Sequence, residues 1–171
     1  MDIKTITPKT SALLKSLGEV SLPIKIEEIA RLKGLKVMPY PLGDDISGLL
    51  SIENGNGTIG YNENESKVRR RFTIAHELGH YILHKDKSDL FVDKQFIYRS
   101  KDSGNTVVNQ KMEHEANLFA SVILMPPDLL RKEVEKVQID LGSGQAINEL
   151  AKIFEVSPTA MSVRLSQAGY I

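Results

Sequence analysis

The feature of this sequence that most constrains its fold is a His-Glu-x-x-His pattern at residues 76–80, inside a segment with helical periodicity, residues 67–83. Histidines four positions apart lie on one face of a helix, about 6 Å apart along its axis. The apolar residues Ala75, Leu78 and Ile82 indicate that this helix is buried. Two neutral imidazoles that face the interior need polar partners. Another part of the chain therefore has to fold against this face.

The same spacing is typical of a metal site, because two imidazoles so placed can bind one ion at about 2.0–2.1 Å each. Glu77 points about 100° away from His76 around the helix. From there it can accept a proton from a water molecule that the metal activates, without being a ligand itself. The alternative is a chance spacing on a solvated helix face, which the apolar neighbours oppose. We predict that His76 and His80 are metal ligands and that Glu77 is the catalytic base.

A catalytic zinc site needs a third protein ligand. His84 lies eight positions after His76, about 12 Å along the axis, so we do not expect it to complete the site. A second helical segment, residues 106–124, offers Glu113, His114 and Glu115. Small residues follow Glu113 along its helix face and would let the first helix approach closely, whereas bulky apolar residues share the face of Glu115. Glu113 is favoured, and Glu115 is the main rival.

The cofactor that these residues predict is one zinc ion per chain, because two histidines and one carboxylate match its open catalytic sites. The same ligands also bind Fe²⁺, so iron and manganese stay open as alternatives. The developing oxyanion of a hydrolysed amide needs a second donor besides the metal. Four side chains are candidates, and the sequence does not choose among them: Tyr61, Tyr81, Tyr98 and His114.

Composition excludes several other classes of protein. A chain of 171 residues with 41% hydrophobic and 26% charged residues is typical of one globular domain. Its 22 basic and 22 acidic side chains cancel, so we expect no direct binding to nucleic acid. The absence of cysteine excludes disulfides, a thiolate nucleophile and a cysteine zinc site. No signal peptide or membrane span is visible in the first 20 residues, which predicts a cytoplasmic protein with no membrane partner.

The alternation of patterns along the chain predicts a single α+β domain over residues 1–171, with a small antiparallel or mixed sheet among five or six helices. The first helix is predicted to begin with Thr7 as N-cap and Pro8 at its first position. The polar stretch 85–105 is predicted to be an ordered loop and a candidate lid over the site.

A hairpin is predicted from two strands, 46–52 and 58–61, around a turn-rich stretch. Its edge could pair with an extended substrate, or the hairpin could simply pack on the motif helix. The helix pair at about 145–168 looks like a helix-turn-helix, but its second helix carries one basic residue, Arg164. We therefore expect this pair to close the hydrophobic core.

Taken together, the motifs resemble the ImmA/IrrE family of metallopeptidases. The resemblance is carried by residues 71–80 (RFTIAHELGH), 113–120 (EHEANLFA) and 124–126 (LMP), and shorter matches precede and follow them in the expected order. It implies a zincin-like fold in which His76, His80 and Glu113 bind zinc, and it makes Glu77 the catalytic base.

The function that the resemblance implies is a zinc-dependent endopeptidase. Its partner would be a protein substrate, a helix-turn-helix transcriptional repressor of a mobile element or of a stress response. The alternative is a catalytically silent, metal-stabilised module that inactivates a repressor without cutting it. In that case Glu77 would have no required role.

Overall fold

The computed structural model describes residues 2–94, 107–137 and 140–171. In these ranges it contains seven helices and four strands, in the order α1 (Ile3–Ser16), α2 (Ile26–Leu32), β1 (Lys36–Tyr40), β2 (Ile46–Glu53), β3 (Asn56–Asn62), α3 (Lys67–His84), β4 (Leu90–Lys94), α4 (Val107–Leu124), α5 (Pro127–Val134), α6 (Gly144–Phe154) and α7 (Pro158–Gln167). The α+β class is confirmed, and the expected number of five or six helices was too low. None of these helices is long and apolar enough to span a bilayer.

The four strands form one mixed sheet in the order β1-β3-β2-β4. Strand β1 runs parallel to β3, and β2 runs antiparallel to both β3 and β4. The β2–β3 hairpin turns at Asn54 and Gly55, whose φ angles of 50° and 80° suit the tight two-residue turn that this hairpin needs.

The hairpin packs on α3, the helix that carries the His-Glu-x-x-His motif. This packing was one of the two predicted alternatives. Both of its strands have a neighbour on each side, β2 between β3 and β4 and β3 between β1 and β2. The prediction that its edge receives a substrate is therefore wrong. Gly48 of β2 leaves room for Thr73 of α3, whose Cγ2 lies where a Cβ would be. At Gly57 of β3 the space of a Cβ is taken by Leu35, and the Tyr81 ring of α3 lies 3.3 Å from that position.

Strand β4 corrects the prediction of a loop at residues 85–105. Residues 90–94 pair antiparallel with β2, and Phe91 is buried in the core. The apolar run Leu90-Phe91-Val92 supplies a short strand with a buried residue, which the polar surroundings concealed. Residues 95–105 of the predicted loop lie outside the described residues.

Helix α1 begins earlier than predicted. Asp2 is the N-cap, and its Oδ1 accepts a hydrogen bond of 3.0 Å from the amide of Thr5. The hydroxyl of Thr7 instead donates to the Ile3 carbonyl from within the helix, at 2.8 Å. Pro8 lies inside α1 but on its exposed side, where the carbonyl that loses its helical partner can bond to water.

Helices α3 and α4 cross at a close contact that involves Gly79. A Cβ at this position would lie 3.1 Å from Cδ1 of Phe119 and 3.3 Å from Cα of Ala116. Both of these α4 residues are fully buried, so the two backbones approach through a glycine and an alanine.

The C-terminal helices lie against the same core. Leu150 and Phe154 of α6 and Met161 and Leu165 of α7 are fully buried. Arg164, the basic residue of α7, is only 3% exposed, and its Nε donates to the Met125 carbonyl at 3.2 Å. In this arrangement the guanidinium does not reach a phosphate group.

We expect Gly79→Ala to lower the free energy of unfolding by about 1–3 kcal/mol, the usual cost of overpacking. The added methyl would push against Phe119 and against the backbone of Ala116, which has little freedom to move. The measurement is urea unfolding. The control is Gly144→Ala at the start of α6, where a Cβ meets nothing within 4 Å and no loss is expected. A Gly79→Ala variant as stable as the wild type would contradict the close packing of α3 on α4.

Candidate metal centre

Three predicted ligands meet between α3 and α4. The Nε2 atoms of His76 and His80 are 3.0 Å apart. The two carboxylate oxygens of Glu113 lie 3.2 Å from these nitrogens, Oε2 from His76 and Oε1 from His80. Ligand atoms around a tetrahedral ion with bonds of about 2.0–2.1 Å are roughly 3.3 Å apart. The measured separations are close to this value, and one donor atom from each of the three residues lies within 4.8 Å of the other two, so the three side chains can approach one ion together.

Each histidine is oriented by a contact at its other ring nitrogen. His76 Nδ1–H donates to Oδ1 of Asn117 at 3.0 Å, which leaves the lone pair of Nε2 for a ligand bond. His80 Nδ1 lies 3.2 Å from Nδ1 of His84. The ring of Phe91 in β4 stacks on that of His80, with centroids 4.5 Å apart and planes inclined by 22°.

Glu77 is fully buried beside the histidines. Neither of its carboxylate oxygens has a hydrogen-bond partner among the described residues. Burial raises the pKa of Glu77 to about 8, with the charges of Asp93 and Glu113 acting in the same direction and His76 acting against them. Gly48 of β2 borders this side chain, since a Cβ built at that position would lie 3.4 Å from Oε1. The carboxyl group is therefore free to exchange protons near neutral pH.

Glu113 stabilises a positive charge on His76, and His76 stabilises the negative charge of Glu113. Burial acts to raise the pKa of Glu113, but its hydrogen bonds with His76 and His80 outweigh this effect and hold the pKa at about 2. Burial likewise acts to lower the pKa of His76, but Glu113 and the nearby carboxylates raise it to about 9. The carboxylate of Glu113 thus attracts positive charge to this place, either a proton on the imidazole or a metal ion.

The structure separates the two rival glutamates. Glu113 lies against His76 and His80, whereas Glu115 is buried and accepts a hydrogen bond of 2.8 Å from His84 Nε2. His114, between them, is exposed. Sequence reasoning placed His84 outside the ligand set and found no role for it, but the structure brings it against His80.

Asp93 of β4 is a site residue that the sequence analysis missed. One of its carboxylate oxygens lies within 4.8 Å of the donor atoms of His76 and Glu77, and its Oδ2 is 3.4 Å from Nη2 of Arg69. The segment was predicted to be a loop, so nothing placed Asp93 near the motif. The apolar run before it was the signal that could have predicted a strand.

A groove of about 550 Å³ opens next to the site, between α3, α4 and α7. Its walls are largely apolar and include Phe72, Leu118 and Val163, and Asn117 and His114 also line it. His114, one of the four oxyanion candidates, therefore lies beside this groove.

The other three oxyanion candidates have different surroundings. The Tyr61 ring lies beneath the guanidinium of Arg70, and the Tyr81 ring packs at Gly57 of the hairpin. Tyr98 lies outside the described residues.

A helix with two histidines one turn apart, a buried glutamate between them and a carboxylate from a second helix define a metallopeptidase type of centre. Residues 30–166 match the IrrE N-terminal-like domain of the Peptidase_M78 family. The chain belongs to this ImmA/IrrE family of metallopeptidases.

Individual relatives agree with the family. Metallopeptidase ImmA of Bacillus subtilis (strain 168) is 29% identical over 166 residues, which cover 97% of this chain and 87% of ImmA. Radiation response metalloprotease IrrE of Deinococcus radiodurans is 35% identical over 133 residues, 78% of this chain and 36% of IrrE. Uncharacterized immunity region protein 2 of Bacillus phage phi105 is 29% identical over 134 residues, 76% of this chain and 78% of that protein.

Among solved structures, a Mycobacterium tuberculosis transcriptional regulator has a similar fold. Its TM-score is 0.66 over 95% of this chain and 46% of that chain, at 18% sequence identity. This chain therefore corresponds to less than half of that regulator and to about a third of IrrE. The similarity concerns the fold alone.

We expect Glu77→Gln to stabilise metal-free protein increasingly as the pH rises from 5 to 8. The unfolded chain ionises Glu77 above its ordinary pKa of 4.5, whereas the folded protein keeps it protonated up to a pKa of about 8. Glu77 therefore makes folding less favourable across this interval, and glutamine removes the effect. The gain at pH 8 should be at least about 1 kcal/mol, the equivalent of one pKa unit.

The measurement is urea unfolding in EDTA at several pH values. The control is Glu63→Gln, the same substitution at an exposed position. A Glu77→Gln effect that does not change with pH, or that is the same as the effect of the control, would contradict the burial of an ionisable group at this place.

Proposed function

We propose that this protein is a zinc-dependent endopeptidase that hydrolyses a peptide bond in a regulatory protein, a helix-turn-helix repressor of a mobile element or of a stress response. The observation that carries the proposal is the convergence of three donor groups, from His76, His80 and Glu113, beside the buried carboxyl group of Glu77. Membership of a metallopeptidase family supports it.

His76, His80 and Glu113 would hold the zinc ion. Two nitrogen donors and one carboxylate are the ligand set of an open catalytic zinc site, and the spacing of these donor atoms fits it. When bound, zinc supplies a Lewis acid that polarises the scissile carbonyl and lowers the pKa of water. Asn117 fixes the tautomer of His76 for this role.

Glu77 carries the proton transfers. Its carboxylate takes a proton from the water molecule whose oxygen forms the new bond to the carbonyl carbon. It then delivers that proton to the amine nitrogen as the C–N bond breaks. Its two oxygens are buried beside the proposed ligands and have no hydrogen-bond partner among the described residues, so both are available for these transfers.

Strand β4 is the element along which an extended substrate would lie. One side of β4 pairs with β2, and no strand pairs with its other side among the described residues. Phe91 of this strand stacks on His80, and Asp93 lies close to Glu77. A substrate segment that adds to β4 by main-chain hydrogen bonds would therefore pass the catalytic carboxyl group. The adjoining apolar groove can receive substrate side chains.

The repressor as substrate rests on the family resemblance, and two features of this chain agree with a protein rather than a nucleic-acid partner. The formal net charge is zero, and the basic residue of α7, Arg164, is buried. Since repressors of this kind act on DNA, we place the activity in the cytoplasm.

Protein purified without added metal or chelator should contain roughly one zinc ion per chain. We expect His80→Ala and Glu113→Ala to lose it, because each removes a donor from the three-residue set. Elemental analysis is the measurement, with Glu149→Ala on the exposed side of α6 as the control that keeps its zinc. Wild-type protein that binds no metal even after incubation with zinc would rule out the proposed enzyme. Iron or manganese in place of zinc would change the metal only.

Glu77→Gln should lower kcat/KM for cleavage by about 10²–10⁴-fold, the usual contribution of a general base, while zinc content stays at the wild-type value. The family resemblance implies the substrate to test, a helix-turn-helix repressor of the kind often encoded beside such genes. The assay follows both the cleavage products and the loss of operator binding. A Glu77→Gln variant that still abolishes operator binding without cutting the repressor would instead favour the silent binding module.

A further inference from the structure

A third histidine continues the line of the two proposed ligands along α3. His84 lies one turn after His80, and its ring is held between two groups. Its Nδ1 is 3.2 Å from Nδ1 of His80, and its Nε2 is 2.8 Å from Oε2 of Glu115. The side chains of His80 and His84 are 1% exposed, and that of Glu115 is 6% exposed. These three groups therefore form a line of polar contacts that is closed to bulk water.

Zinc on His80 would fix the position of every proton in this line. A bond from Nε2 of His80 to the metal uses that nitrogen's lone pair, so the ring proton is on Nδ1. This N–H points at Nδ1 of His84, which must then be the acceptor. His84 consequently carries its own proton on Nε2, where the carboxylate of Glu115 accepts it. Each group has one role that is consistent with its neighbour.

We propose that His84 and Glu115 are positioning residues of the metal site, which hold His80 in the tautomer and orientation needed to bind zinc. The inference rests on the function proposed above. A hydrogen bond to the ring nitrogen that does not bind the metal orients a ligating imidazole and increases its basicity. Here the carboxylate acts on His80 through another imidazole, whereas His76 is held directly by the amide of Asn117.

The fold gives His84 no alternative use as a ligand. Its Nδ1 faces His80 and its Nε2 faces Glu115, so neither nitrogen is directed at the point where His76, His80 and Glu113 meet. The side chain of Glu115 points about 200° around the axis of α4 from that of Glu113, because the two residues are two helical positions apart. The two glutamates therefore reach the histidines of α3 at different places.

The test is the zinc dissociation constant, measured by competition with a chromophoric chelator. We expect His84→Leu and Glu115→Leu to raise it roughly 10–100-fold, the range seen when such contacts are removed. Either single variant also deprives a buried polar group of a partner, so unfolding of the metal-free protein is measured in parallel. The double variant His84→Leu with Glu115→Leu removes two of the three groups, so that His80 is the one that remains, without its contact at Nδ1. We expect the double variant to be more stable than His84→Leu but to bind zinc no more tightly.

The conservative control is His84→Gln. A glutamine amide offers an acceptor oxygen to His80 and a donor nitrogen to Glu115, about as far apart as the two ring nitrogens of histidine. We expect this variant to bind zinc within a few-fold of the wild type. If it binds as weakly as His84→Leu, or if the double variant binds as tightly as the wild type, the inference is wrong.

The tautomer supplies a second readout that a purely structural role would not produce. In zinc-loaded protein with ¹⁵N-labelled histidine, two-bond ¹H–¹⁵N spectra should show His80 protonated at Nδ1 and His84 protonated at Nε2. A proton on Nδ1 of His84 would overturn the inference while leaving the zinc site intact. Wild-type protein without zinc affinity would overturn the proposed function itself, and this inference with it.

Discussion

The close contact of α3 with α4 at Gly79 is the constraint on which the rest of the site depends. Phe119 and the backbone of Ala116 occupy the space that any larger side chain at Gly79 would need. Since a glutamate side chain is short compared with the usual 8–10 Å between helix axes, Glu113 can reach both histidines only across a tight crossing. The glycine between the two histidines is thus a packing requirement, and the chemistry of the motif relies on it.

The sequence indicated which residues of the candidate site lie together better than it indicated their surroundings. The helical period brought His76, Glu77 and His80 together, and the small residues along one face of α4 favoured Glu113, because both arguments depend on local geometry. The role of Glu115 was not accessible in this way. Its contact with His84 joins two helices whose crossing no periodicity specifies, and the acid then resembles any other charge on a helix.

The elements of the fold were predicted where one period dominates, as in α3 and in the β2–β3 hairpin. They were missed where signals compete. Strand β4 is short and flanked by polar residues, so only its pairing with β2 makes it a strand. At the N-terminus, Thr7 and Pro8 form a good helix start, but Asp2 caps the same helix five residues earlier. In such cases a contact outside the local segment decides between two structures that the local sequence would allow. For β4 this contact is the pairing with β2, and for α1 it is the cap at Asp2.

Helix α4 places Glu113, Glu115 and Asn117 within five positions of each other, and each of them meets a histidine of α3. Replacing one of these side chains affects one contact. The insertion or deletion of a single residue just after them in α4 would instead rotate all three by about 100° relative to the buried residues that follow. Substitutions can therefore alter this centre gradually, but a change in the length of α4 would dismantle it in one event. The spacing along this helix is as much a part of the site as the identities of its residues.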